Sequence, residues 1–170
     1  MNEARLWHTH REGRPGGTAF GIDPTKARVT QGVYTQRGEP VDHLVRARAM
    51  LAVCPTSAAL SHHSAALLWG GAVPETDSVH VSAPTTTGRR RQGLFWHRRS
   101  SEVEVTTHAG MRVTTPIQTF LDLAAILPLV DLVVLGDSLV AAGRFTPAEL
   151  GAHVRTCRGP GVTAARRAAA

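Results

Sequence analysis

The spacing of hydrophobic positions changes several times along the chain, and each change predicts a new element. Residues 1–28 are polar and carry Gly13, Pro15, Gly16, Gly17, Gly21 and Pro24, a composition that excludes a long helix. Val29, Val33 and Tyr34 then give 27–38 the look of a strand ending in a turn. From Asp42, a plausible N-cap, Leu44, Val45, Met50 and Leu51 recur at helical spacing with small alanines between them, until Pro55 stops the run. Arg46 and Arg48 fall on the polar side of that helix. Ser61 is the expected cap of a short second helix through Trp69, closed by Gly70-Gly71. Alternation predicts strands at 78–84, 94–99, 102–108 and 111–115, with a polar basic loop at 85–93 and a turn at Ala109-Gly110.

The last third is helical and clearly punctuated. Thr115-Pro116-Ile117-Gln118 places a hydroxyl at the cap, proline at the first position and an amide three residues on, the pattern of a capping box. Ile117, Phe120, Leu121, Leu123, Ala124 and Leu127 form the apolar side of that helix. Pro128 opens the next, and Thr146-Pro147-Ala148-Glu149 repeats the capping pattern for a third through Val154. Gly159-Pro160-Gly161 interrupts, and 162–170 predicts the first turns of another helix. Segregated runs of this kind predict an α+β fold: a helix pair, a small mostly antiparallel sheet, then a C-terminal helical segment. The expected organisation is an N-terminal segment over 1–38 ending in a wing-like strand, an α+β domain over 39–158, and a tail or linker helix over 159–170. No internal repeat is visible.

Composition narrows the functional classes. No apolar stretch approaches the ~18 residues that span a bilayer, the longest being broken by Gly136 and Asp137, and the N-terminus lacks the layout of a secretory signal. The expected location is the cytoplasm, where Cys54 and Cys157, far apart and outside any CxxC, are read as reduced thiols in small apolar positions. The formal net charge is +6, and Lys26 is the only lysine, so the cationic charge is nearly all arginine. Guanidinium groups hold phosphate or carboxylate in a two-pronged geometry. Arg89, Arg90 and Arg91 precede, and Arg98 and Arg99 follow, one short apolar stretch, which marks them as candidate nucleic-acid contacts. A solvated charged face is the plainer reading of the same residues.

Nine histidines invite a metal site, but their spacing argues against one. His8 and His10 lie in the glycine-rich start; adjacent His62 and His63 on a helix point roughly 100° apart. The i, i+4 spacing of HExxH is absent. His80, His97 and His108 lie on separate strands or beside a turn, and would converge only through tertiary structure. Neither a D…[DE]xK nuclease pattern, a GxSxG elbow nor a GK[ST] phosphate loop occurs. Asp122 is expected to accept a hydrogen bond from a strand backbone, and Asp137 to pair with an arginine. No catalytic residue, metal or cofactor is predicted; Ser61, His62, His63, Trp69, His80, His97 and Asp122 are read as structural or contact residues.

Seven segments occur in a fixed order: QGVYTQRG, RARAMLAV, LSHHSAALLWG, VHVSAP, RRRQGLFWHRR, GMRVTTPIQTFLDLAAILP and LVVLGDSLVAAGRFTPAEL. This succession, from about residue 27 onwards, resembles an actinobacterial family related to the AbiEi-type antitoxins of type IV toxin–antitoxin systems. In that family a winged helix–turn–helix precedes an α/β antitoxin-like domain, and a Vsr-like endonuclease domain often follows. Here a glycine-rich stretch stands in place of the winged helix, and the chain ends where the nuclease domain would begin. The resemblance implies a non-catalytic antitoxin or transcriptional regulator in phage defence, with DNA and a nucleotidyltransferase-type toxin as partners. It implies further that Ser61, His62 and His63 match a helix-start element, with Trp69 anchoring the far end. The alternatives are a non-catalytic module of a Vsr-like endonuclease acting through protein contacts only, and a metal nuclease built from His62, His80 and His97.

Overall fold

A computed structural model of the protein describes residues 6–8, 24–84, 91–99 and 103–170. Arg89, Arg90 and His10 lie outside the described residues, as does most of the N-terminal segment. The fold is α+β. A small sheet is formed by β1 (Trp7–His8), β2 (Lys26–Thr30) and β3 (Val33–Gln36), in the order β1-β3-β2. What the sequence presents as one strand over 27–38 is therefore a hairpin. Gly32, at φ 86°, makes the reversal after Thr30, a backbone region open to glycine at little cost.

Helix α1 (His43–Ala52) starts at Asp42, whose carboxylate accepts from the Val45 N–H at 2.8 Å. The two-residue strand β4 (Ala59–Leu60) follows, then α2 (His62–Trp69), β5 (Val79–Ala83), β6 (Leu94–Arg98), β7 (Val105–His108) and β8 (Met111–Thr114). These strands form one mixed sheet in the order β6-β5-β4-β8-β7. Counting both sheets, four of the six described pairings are antiparallel, but in the main sheet β5 with β6 and β4 with β8 run parallel. The sequence hides this because a ten-residue polar connection between two strands looks like a hairpin loop. All five residues of β5 are buried, so both faces of the sheet are covered there.

Four helices close the structure: α3 (Pro116–Ala124), α4 (Leu129–Ala141), α5 (Pro147–Thr156) and α6 (Val162–Ala168). Thr115 caps α3, accepting from the Gln118 N–H at 3.4 Å, although the Gln118 amide does not return to the cap. It donates to Asp122 instead, at 2.7 Å. The capping box of α5 is complete, with Thr146 and Glu149 satisfying each other's backbone N–H groups. The core joins Leu60, Val79, Val81 and Val113 of the sheet to Phe120, Leu123, Leu132, Leu135, Leu139, Leu150 and Val154 of the helices. Ala165 of α6 is fully buried in the same cluster, so residues 159–170 share the core of the preceding elements. Gly161 (φ 78°) makes that docking possible: a Cβ there would stand 2.5 Å from the Ala125 nitrogen.

Trp69 ties α2 to the sheet. Its buried Nε1–H donates to the Thr114 carbonyl at 2.9 Å, its ring stacks on His108, and Arg144 donates to its carbonyl.

Candidate functional site

The parallel β5–β6 register brings the histidines together. His80 pairs with Phe95 and Ser82 with His97, so alternate residues of both strands present imidazoles and a hydroxyl to one face. The first turn of α2 lies over that face. The His62 and His97 rings stack at 3.5 Å between centroids, and the His63 ring lies 4.9 Å from that of His80. His80 Nδ1 and His97 Nε2 are 2.9 Å apart, a hydrogen bond that needs one nitrogen to donate and the other to accept. At least one of these rings must therefore be neutral.

Other ring nitrogens are engaged nearby, while the buried His63 Nδ1 has no partner among the described residues. The Ser64 hydroxyl accepts from the His80 backbone N–H at 2.8 Å, which leaves its proton for His43 Nε2 at 2.9 Å. His62 Nδ1 lies 3.0 Å from Ser61 Oγ. Ser61 thus occupies the N-cap position of α2 without giving the helix a side-chain cap bond. His62 also has φ 50°, a left-handed conformation that costs a non-glycine residue about 1 kcal/mol or more.

Burial keeps these rings neutral. It pushes His62 down to about 3, helped by the nearby His97, His80 and His63. His80 and His97 are each pushed down to about 4, again chiefly by burial. His43 and His63 are lowered for the same leading reason. Asp122 moves the other way: burial raises its carboxyl to about 6, opposed by the Gln118 hydrogen bond and the charge of Arg99. Its Oδ2 is 3.9 Å from His62 Nδ1. Asp122 therefore bonds to a side chain of its own helix and faces the imidazoles, where the sequence suggested a strand backbone.

His62, His97 and Asp122 line a cleft of about 570 Å³, together with Ser82, Arg98, Arg99, Gln118 and Arg158. Arg98 is exposed at the end of β6. Arg99 is half-buried: its Nη2 donates to the Ser57 carbonyl at 2.7 Å, while its buried Nη1 has no partner among the described residues. Arg91 is elsewhere. It donates to the Gln31 carbonyl of the small sheet's turn at 3.1 Å. Arg91 precedes the start of β6, and Arg98 and Arg99 lie at its end, about 20 Å away along the strand. The arginines that flank LFWH in the sequence are thus split between two places.

The sequence grouped His62, His80 and His97 only in the metal-nuclease alternative and placed Asp122 apart from them; the fold brings all four together. The sequence did not single out His43, Ser64, Ser82 or Arg158, and it read Gln118 only as part of a helix cap. The only advance sign of Ser82 was its place two residues after His80 in an alternating strand. Among the described residues no group of three or more histidine, cysteine or acidic side chains is arranged to hold a metal ion. Cys54 and Cys157 are free, and burial pushes the Cys54 thiol up to about 11. Asp137 is exposed and makes no ion pair among the described residues. No described helix is long and apolar enough to cross a membrane.

The site therefore defines an α+β protein with a neutral imidazole cluster beside an arginine-rimmed cleft. Set against known proteins, the chain matches no family model and no curated protein.

Proposed function

We propose that the protein is a non-catalytic AbiEi-like antitoxin or regulator that docks on the phosphate backbone of DNA and neutralises a partner toxin. The observation that carries the DNA half is the cationic end of β6. Arg98 is exposed and Arg99 half-buried there, with Arg158 across the cleft, and none of the three makes an ion pair among the described residues. Unpaired guanidinium groups on one side of a chain of net charge +6 favour a polyanion. The non-catalytic half draws support from the imidazole nitrogens, several of which are bonded to one another or to serines. The toxin partner and a cytoplasmic location rest on the ordered sequence resemblance.

Fluorescence anisotropy with duplex DNA lacking terminal phosphates, titrated at two salt concentrations, tests the reading. Each neutralised phosphate contributes roughly −0.9 to the slope of log K against log salt, so Arg98→Ala is expected to flatten that slope by about 1. No binding at low salt removes the DNA half. Plasmid cleavage that is lost on replacing His62 or His97 removes the non-catalytic half.

A further inference from the structure

We propose that the cleft between β6, α3 and the α5–α6 turn is a binding site for a phosphomonoester of nucleotide size. The proposal stands apart from backbone docking, since a duplex surface contact needs only exposed cations and no cavity. Two buried polar atoms without partners among the described residues belong to residues lining this cleft, Arg99 Nη1 and Ser82 Oγ. Ser82 is 3% exposed, and a hydroxyl so placed costs free energy unless something bonds to it. Arg99 already commits Nη2 to Ser57, which fixes the plane of the fork and leaves the buried Nη1 without a partner among the described residues.

The cleft carries an excess of positive charge, which favours an anion. Arg98, Arg99 and Arg158 face Glu104 and Asp122, three cations against two acids. Glu104 accepts from the Thr115 hydroxyl and Asp122 from the Gln118 amide. Burial raises Asp122, so its negative charge weakens as the pH falls through about 6. Phosphate alone would leave most of 570 Å³ empty, a volume within the range of small-molecule sites. Leu121, Ala125, Pro160 and Val162 give the same cleft an apolar wall, which fits the sugar and planar base that a nucleotide adds to its phosphate.

Calorimetry of the full chain with thymidine 5′-monophosphate, inorganic phosphate and thymidine reads the site directly. The monophosphate is expected to bind, phosphate more weakly, and thymidine not at all. Arg99→Gln is expected to weaken the monophosphate by about tenfold or more. Arg158→Ala, on an exposed turn, is expected to weaken it severalfold without disturbing the fold, and Arg28→Ala on the small sheet to leave it unchanged. Single-stranded oligonucleotides with a 5′-phosphate or a 5′-hydroxyl separate the two sources of the group. A preference for the phosphorylated end points to nucleic-acid termini, and equal binding of both with tight free nucleotide points to a soluble ligand. Equal affinity for thymidine and its monophosphate overturns the site, as does full affinity in folded Arg99→Gln and Arg158→Ala. Failure here with intact duplex binding leaves the docking role standing, and the reverse result separates them equally well.

Discussion

Two regions of this protein are packed on opposite principles. Around Phe120, Leu132, Leu135 and Leu139 the helices α3 and α4 meet through aliphatic and aromatic side chains that are fully buried. Around His62, His80 and His97 the first turn of α2 meets β5 and β6 through imidazoles and hydroxyls joined by hydrogen bonds. The first arrangement takes its stability from removing apolar surface from water, at roughly 25 cal/mol per Å², and is indifferent to protons. The second holds only while its rings stay neutral. The cleft side of the molecule is therefore expected to respond to pH, and the helical side is not.

The largest expected effect tests the apolar half. Leu135→Ala is expected to lower stability by about 3 kcal/mol, because the neighbouring helices can close only part of the cavity. Urea unfolding near pH 7.5 and near pH 5 measures it, and a loss differing strongly between the two would break the comparison.

The next effect belongs to the polar half. His62, His80 and His97 have folded values below the ordinary 6.5, so the unfolded chain takes up protons first as the pH falls. Their contribution is fully present above about pH 6.5 and is lost towards about pH 4, and for His62 further down to about 3. Asp122, raised to about 6, has the opposite sign and returns part of that loss over the same range. With three histidines against one acid, Tm is expected to drop by roughly 5–10 °C between about pH 7.5 and about pH 4.5. His97→Phe removes one depressed imidazole, so its Tm should change less over that interval. Equal acid sensitivity in the variant would show that the cluster is not the source.

The smallest effect compares two helix starts. Thr146 makes both bonds of its capping box, so Thr146→Ala is expected to cost about 1 kcal/mol at any pH from 5 upwards. Ser61 gives α2 no cap bond and touches His62 instead, so Ser61→Ala should change stability less, and in a pH-dependent way. Thermal scans of the two variants at two pH values sharpen the contrast.

What was legible in the sequence follows the same division. The helices announce themselves through local signals: Asp42, Thr115 and Thr146 at caps, Gly70 at a stop, and apolar residues at helical spacing. Strand β4 carried no such signal, since two residues cannot display a period. The histidine cluster could be raised only as an alternative, for a different reason. Its members come from α2, β5 and β6, and their meeting depends on a parallel register that no short-range pattern encodes. The apparent arginine cluster came apart for a simpler reason: an extended strand, β6, separates Arg91 from Arg98 and Arg99.

Ala59 and Leu60 have a consequence out of proportion to their length. Among the described residues they form the only strand bridging the β5–β6 half of the main sheet and the β7–β8 half. Beyond these two residues the Ser61 N–H adds one bond to the His80 carbonyl, so amide exchange should divide the sheet into two cooperative blocks that part along this line before either dissolves.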